Sequence, residues 1–337
     1  MTRTVVGLVY HSRSADLATC LESLRGSADA KIVVLDVSPD GSAREEVAKH
    51  PGVVWAEGSR NAGYAWGLHQ IADGWLEPGD VFVGANSDIQ LLSETLENIV
   101  RHATELGGVC FPLQLDESGS PAAYNLLPQL SLSGSIARWL MIGRRRIRRK
   151  LDPVIAEAAK SNGAVPIPRG VSGSGAMMAM TQAVWQRTGG LDSQYFLFCE
   201  DSSFGTSAEL SGISSYLCGD SPIVHEGGFR GRGVTAAGTV ECLASEQLNW
   251  RAAMNSPAAV VVLIQVLGLV LRISACAFSG RKELRLAYSD SLRFRLRRLS
   301  ASSAAPFGAD GYRLPAMSSL ESSETGSLQG SQAPNHY

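Results

Sequence analysis

With 337 residues, 45% of them apolar, the chain is long enough for one large α/β domain with an appendage and too apolar for global disorder. A net charge of −2 excludes a general nucleic-acid binder. The six cysteines (Cys20, Cys110, Cys199, Cys218, Cys242 and Cys276) stand far apart with no CxxC pair, which reads as reduced thiols in a cytosolic protein rather than a zinc site or a disulfide framework.

The chain opens on Met1-Thr2-Arg3 and enters at once a β-rich apolar run at residues 5–10, read as a buried strand. That run is shorter than the apolar core of a signal peptide, so this part of the chain is expected in the cytoplasm. Leu17, Cys20, Leu21 and Leu24 recur at helical spacing, with Gly26 as the stop. Residues 31–35 form a second strand ending on Asp36. Residues 52–56 form a third, followed by Arg60-Asn61-Ala62-Gly63 and a helix to about residue 74. A fourth strand at 81–85 ends on Asn86-Ser87-Asp88, and a helix at 93–106 carries Leu96, Ile99, Val100 and Ala103 on one face. Alternating strands and helices imply an α/β class: a mostly parallel, twisted sheet with helices on both faces. Ligands in such sheets sit beyond the carboxyl ends of the strands, where Asp36 and Asp88 both fall.

Residues 116–168 are weakly patterned and read as a long irregular excursion. A second α/β segment spans 170–217, Gly-rich turns follow around Gly227 and Gly233, and an apolar run covers 258–278. From about residue 300, Ser, Gly and Pro dominate, the composition of a disordered tail. The expected organisation is an α/β domain at 1–235, a C-terminal helical region at 236–299 and the tail at 300–337.

Five clusters carry chemistry. Asp36, heading Val37-Ser38-Pro39-Asp40-Gly41-Ser42, places a carboxylate where it can accept from a uracil or thymine ring N–H or from ribose hydroxyls; the same residues also make an ordinary β-turn. Asn61-Ala62-Gly63-Tyr64-Ala65 is a Gly-containing loop entering a helix, whose backbone N–H groups suit phosphate or sugar oxygens. Its plainer reading is a helix start capped by Asn61. Asn86-Ser87-Asp88 offers one carboxylate, Asp88, to a hard divalent cation such as Mg²⁺ or Mn²⁺, with substrate phosphates and water completing the ligand set. The aromatic run Tyr195-Phe196-Leu197-Phe198 leads into Glu200 and Asp201. Burial by aromatics raises a carboxylate's pKa towards that of a general base, although acids also decorate helix N-termini. His225, a neutral imidazole on a late loop, can complete a metal site.

In this order the clusters resemble the GT-A family of inverting glycosyltransferases, family 2, and its rhamnosyltransferase-like members in particular, over residues 4–230. Val6-Gly7-Leu8-Val9-Tyr10-His11-Ser12 is similar to the family's opening strand, and Asp36, Asn61-Ala62-Gly63-Tyr64-Ala65, Asn86-Ser87-Asp88, Gly189-Gly190-Leu191-Asp192 with Phe196-Leu197-Phe198-Cys199-Glu200-Asp201, and Val224-His225 follow. The resemblance implies a GT-A fold and one in-line displacement at an anomeric carbon. Tyr10, Asp36, Asn61, Gly63, Asn86 and Ser87 would line the nucleotide-sugar site. Asp88 and His225 would hold a divalent metal, and Asp201, with Glu200 beside it, would be the catalytic base. The donor would be a UDP- or dTDP-sugar and the acceptor a glycan, free or lipid-linked, in cell-surface polysaccharide synthesis. The chain departs from the family's Glu-Asp-x-Asp and following Arg: it has Glu200-Asp201-Ser202-Ser203, with no Arg through Ser207. A nucleotide-sugar-binding scaffold that does not transfer is the alternative this leaves.

The run at 258–271 is strongly apolar but holds Gln265 and ends on Arg272, shorter than the ~20 residues a span requires. Beside the basic stretch 281–298, it suits an interfacial helix on the inner face of the plasma membrane, or a buried helix packed on the catalytic domain with the basic residues on a solvated face. Trp139-Leu140-Met141-Ile142 before Arg144-Arg145-Arg146 would add a second contact. A dinucleotide-binding dehydrogenase needs a Gly-rich turn after the first strand, where this chain has Tyr10-His11-Ser12-Arg13. A sugar nucleotidylyltransferase needs an N-terminal Gly-rich phosphate loop, which is absent from the sequence.

Overall fold

The computed structural model describes residues 3–11, 14–25, 30–38, 40–116, 118–122, 124–129, 144–225 and 258–297, with the single positions 136, 140, 242, 245, 246 and 248. The chain divides into two compact units, residues 1–233 and 234–337.

The first unit contains strands β1 (Thr4–Tyr10), β2 (Ala30–Asp36), β3 (Val54–Glu57), β4 (Val81–Asn86), β5 (Ile89–Leu91), β6 (Val109–Leu115), β7 (Leu126–Pro128), β8 (Ala164–Pro166), β9 (Val171–Gly173), β10 (Met177–Thr181) and β11 (Ser215–His225). Its helices are α1 (Ser14–Ser23), α2 (Ala43–Val47), α3 (Tyr64–Trp75), α4 (Thr95–Leu106), α5 (Arg144–Ala158), α6 (Gln182–Thr188) and α7 (Glu200–Leu210). Nine strands form the main sheet in the order β3-β2-β1-β4-β10-β6-β11-β5, with β8 also on β11. Strands β3, β2, β1 and β4 run parallel, β10 runs against β4 and β6, and β6 pairs parallel with β11. Strands β5 and β8 run against β11. Six of the nine strands therefore point one way, the mostly parallel sheet that the strand–helix alternation predicts.

The two-residue period of each strand splits the core in two. Val33 and Leu35 of β2 face one side with α3, α5, α6 and α7, through Leu68, Ile71, Leu151, Trp185 and Phe204. Ile32 and Val34 face the other side with α1, α2 and α4, through Leu17, Leu21, Val47, Leu96 and Ile99. Burial on both faces is why these strands read as continuous apolar runs.

Strand β11 carries the irregularity that matters most. Cys218 pairs with Pro112 and Pro222 with the next residue, Leu113, so residues 219–221 form a bulge in β11. The bulge is anchored: His102 Nε2 lies 2.9 Å from Asp220 Oδ1, Arg101 reaches Asp220 Oδ2 at 3.1 Å, and Gly219 N–H donates to Gly163 O.

Residues 116–168, expected to be irregular, hold β7, α5 and β8. The basic run at 144–150 lies within α5, whose pattern is obscured by the internal Pro153. Trp139, Met141, Ile142, the turns around Gly227 and Gly233 and the tail at 300–337 lie outside the described residues.

The second unit contains α8 (Ala258–Phe278) and α9 (Lys282–Arg297), packed on each other across a turn at Gly280, whose φ is +69°. Val262, Gln265, Leu269 and Cys276 of α8 and Ala287 and Ser291 of α9 are buried. Among the described residues no helix is long and apolar enough to cross a membrane.

Candidate active site

The parallel register lines up the carboxyl ends of three neighbouring strands: Tyr10 lies opposite Asp36, and Val9 opposite Asn86. The antiparallel β10 begins at the same rim, where Asn86 N–H donates to Ala176 O at 2.8 Å. Strand β11 also ends there, with Val224 opposite Leu115. The topology thus gathers residues 10, 36, 86–88, 175 and 225 along one edge.

Two of these face inward. The Asp36 carboxylate is buried and accepts from Ser38 N–H (3.0 Å), Ser38 Oγ (2.5 Å), Ala43 N–H (3.1 Å) and Trp55 Nε1 (3.3 Å). Those four donors match the roughly four lone-pair sites a carboxylate offers. Tyr10 is buried as well, its hydroxyl 3.0 Å from Ser42 Oγ. In this structure both Tyr10 and Asp36 hold the turn between β2 and α2. A hollow on the α2 side of that turn is lined by Asp40, Gly41, Ser42, Glu45, Glu46 and Lys49; with three acids to one lysine it repels a diphosphate.

Asn86, Ser87 and Asp88 are half-buried, with Ser87 and Asp88 forming the two-residue turn from β4 into β5. Strand β5 pairs with the end of β11 so that His225 lies opposite Ile89. That register sets His225 Nε2 3.2 Å from Asp88 Oδ1, across 137 residues of sequence. On its other side, His225 Nδ1 lies 3.3 Å from Oε1 of the buried Gln114. With the amide oxygen facing it, Nδ1 is the donor and Nε2 is left to face Asp88. Gln114 is itself fixed by Asn125, whose Oδ1 accepts from Gln114 N–H at 2.6 Å and whose Nδ2 donates to Gln114 O at 2.8 Å. The Tyr124 hydroxyl donates to His225 O at 3.2 Å. Beneath the turn, burial first and the Asp88 charge second push the Cys20 thiol up to about 12, so it stays protonated and inert.

Among the described residues no group of three or more His, Cys, Asp or Glu side chains is placed to hold an ion. Asp88 and His225 nevertheless fit as a pair. Two neighbouring ligands of an octahedral ion at about 2.1 Å stand about 3.0 Å apart, against the observed 3.2 Å.

The carboxylates after the aromatic run arrive by a different route. Phe198 and Cys199 both have φ +67°, a left-handed conformation that costs a β-carbon about 1–2 kcal/mol per residue and here turns the chain into α7. Glu200 and Asp201 then form that helix's first turn, with Glu200 buried. Asp201 is half-buried; its Oδ2 accepts from Gly175 N–H at 3.2 Å and its Oδ1 from Ser202 N–H at 2.7 Å. Burial raises its pKa above the ordinary aspartate range, opposed by those hydrogen bonds.

Asn61, Gly63 and Tyr64 tie the two halves together. Gly63 has φ +102° and lies so close to Phe196 that a Cβ would fall 2.4 Å from its carbonyl oxygen. Tyr64 N–H donates to that oxygen at 3.0 Å, and Gly63 N–H to Asn61 Oδ1 at 3.3 Å. Both amides are taken up by protein acceptors, Gly63 packs on Phe196, and Asn61 holds the loop while Gly63 itself occupies the N-cap position. The Tyr64 hydroxyl donates to Gly175 O at 3.1 Å. One peptide unit apart, Gly175 N–H serves Asp201. Burial first, then the charges of Glu200, Asp88 and Asp201, raise the Tyr64 pKa well above its usual value. Tyr64 thus feels the charge of all three carboxylates.

Sequence reasoning missed Gln114, Gly175 and the central place of Tyr64. Gln114 left a signal, a lone amide in the apolar run Val-Cys-Phe-Pro-Leu-Gln-Leu. Gly175 left none that separates it from a loop glycine.

No protein-family model matches the chain, and no curated protein matches it. Several solved structures are similar in fold. A mannosyltransferase from Pyrobaculum calidifontis, in complex with GDP-Man and Mn²⁺, is 18% identical with a TM-score of 0.49, over 97% of this chain and 80% of its own. GalNAc-T7, with UDP, GalNAc and Mn²⁺, is 12% identical with a TM-score of 0.49, over 90% of this chain and 57% of its own. Residues 1–349 of S. aureus TarS are 13% identical with a TM-score of 0.45, over 99% of this chain and 93% of theirs.

Proposed function

We propose that the chain is a metal-dependent, inverting glycosyltransferase of the GT-A type that moves a sugar from a UDP- or dTDP-sugar, rhamnose included, to a glycan or lipid-linked glycan of a cell-surface polysaccharide. The observation that supports this reading is the pairing of Asp88 with His225 at the strand ends, together with the hydrogen bonds that run from Tyr64 through Gly175 to Asp201. It supports a cation site at Asp88 and His225 and a base at Asp201, whose pKa is raised by burial.

Asp88 Oδ1 and His225 Nε2 are the groups that would hold the ion, with Gln114 fixing the imidazole. A bound divalent cation would offset the charge developing on the departing diphosphate. An imidazole ligand favours Mn²⁺ over Mg²⁺. Asp201 accepts the proton of the acceptor hydroxyl as its oxygen bonds the anomeric carbon and the bond to the diphosphate oxygen breaks; attack from the opposite face inverts the centre. Glu200 supports Asp201 as its neighbour. Tyr64 and Gly175 position Asp201, and Tyr10 and Asp36 shape the loop beside the donor, with Asn86 and Ser87 contacting it.

Donor screening by thermal unfolding, with and without Mn²⁺, tests the reading. A donor at about a hundredfold excess over Kd adds about 2.7 kcal/mol of stability, and Asp88→Ala should remove the Mn²⁺-dependent part while Asn86→Ala retains most of it. Absence of a Mn²⁺-dependent shift with every donor would sink the proposal. The Ser203 that replaces a second aspartate keeps a scaffold reading open. Metal-dependent donor binding by the wild type without transfer to any acceptor would favour that reading.

A further inference from the structure

Helix α8 presents two unlike faces. Val262, Gln265, Leu269 and Cys276 are buried, whereas Val260, Leu263, Leu267, Val270, Leu271 and Phe278 are each between 41% and 93% exposed. These six positions recur at helical spacing and form one stripe. It runs the length of a 21-residue helix, about 31 Å, and the helix's lone charged residue, Arg272, is not among the six. Isolated exposed apolar residues are ordinary; a continuous stripe of this length marks a contact surface. At its Phe278 end the chain turns directly into exposed Arg281, Lys282 and Arg285. Across residues 281–297 there are six basic residues against two acidic ones, Glu283 and Asp290, and Asp290 is paired with Arg293 at 3.0 Å.

We infer that this face of α8 docks on an anionic lipid bilayer, with the helix in the plane of the interface and the basic residues that follow it on the headgroups. The sign of charge selects the occupant: an anionic surface complements the segment, whereas a second copy would meet it with the same sign. An in-plane orientation follows from the packing. Only one side of α8 is exposed and apolar, and the opposite side, with the buried Gln265, is covered. The inference does not depend on the transferase reading, since binding is measured without donor or acceptor.

The test is co-sedimentation of the full chain with phosphatidylcholine vesicles, with and without phosphatidylglycerol. Binding is expected to phosphatidylglycerol vesicles and to weaken with added salt. A Leu267→Ser/Leu271→Ser variant should lose it, and Arg281→Gln/Lys282→Gln/Arg285→Gln should weaken it about tenfold or more. Far-UV circular dichroism would confirm that the variants fold, and Leu210→Ser, a change at an exposed leucine of the first unit, should bind as wild type. No binding to either vesicle, equal binding to both, or unchanged binding by the Leu267/Leu271 variant would overturn the inference. So would a dimer that this variant converts to monomers without any vesicle binding, which would assign the stripe to a second copy.

Discussion

Gly63→Ala probes the joint between the two halves of the cleft. The backbone at Gly63 has φ +102° and ψ 172°, a region essentially restricted to glycine that costs other residues about 1–3 kcal/mol. The new Cβ would lie 2.4, 2.6 and 2.8 Å from the O, Cα and C atoms of Phe196, all of them backbone. Phe196 must retreat, and with it the acceptor of the 3.0 Å bond from Tyr64 N–H, worth about 0.5–1.5 kcal/mol. Together these give a loss of about 2–4 kcal/mol. Gly79 supplies the control: its φ is +91°, but nothing lies within 4 Å of a built Cβ, so Gly79→Ala carries only the backbone part. Urea unfolding of both variants, read as the shift in midpoint at constant m, should show Gly63→Ala the more destabilised by about 0.5–1.5 kcal/mol. Because residues 196–199 lead directly into Glu200 and Asp201, its transfer activity should fall further than the loss of folded protein explains. Equal losses for the two variants, or a Gly63→Ala loss under ~0.5 kcal/mol, would refute the apposition.

Asp201→Asn should abolish transfer while leaving Mn²⁺-dependent donor binding in place. Its effect on stability has a defined sign. The folded-state pKa of Asp201 is raised, so the folded protein binds more protons than the unfolded chain between the ordinary aspartate pKa and the raised one. Wild-type stability relative to Asp201→Asn should therefore decline as pH rises through that window; thermal unfolding of both proteins across pH checks it, and a constant difference would remove burial as the cause. Gln114→Leu should weaken Mn²⁺ binding about 10–100-fold by freeing the imidazole, measurable by calorimetric titration, and an unchanged affinity would show that Gln114 does not orient His225.

The first half of the fold is legible because β1, β2 and β4 are buried on both faces and so stand out as apolar runs. The pairing of Asp88 with His225 is not, although both residues are conspicuous. It depends on β5, three residues long, too short to show any period, and on the register of β11 far downstream. Asp36 illustrates a different limit. An aspartate at a strand end reads the same whether it faces a ligand or its own turn, and the donors it meets here, Ser38, Ala43 and the more distant Trp55, leave no local signal. Gly63 reads only as part of a Gly-containing loop entering a helix, because the neighbour that demands glycine there, Phe196, lies 133 positions away. Helix α5 does carry an apolar stripe at helical spacing, Leu151, Ile155 and Ala158, but the basic run before it and the internal Pro153 obscure it.

The bulge at residues 219–221 also limits how this chain can vary in length. Strand side chains alternate, so removing one residue between Cys218 and Pro222 would shift the end of β11 by one place. His225 would turn away from Asp88 and the buried Ile223 would turn out of the core in the same stroke. The exposed turn at Asp116, Ser118 and Ser120 sits on no such count and can lengthen freely. Variants of this protein should therefore differ in length at that turn while keeping the number of residues from Cys218 to His225 fixed.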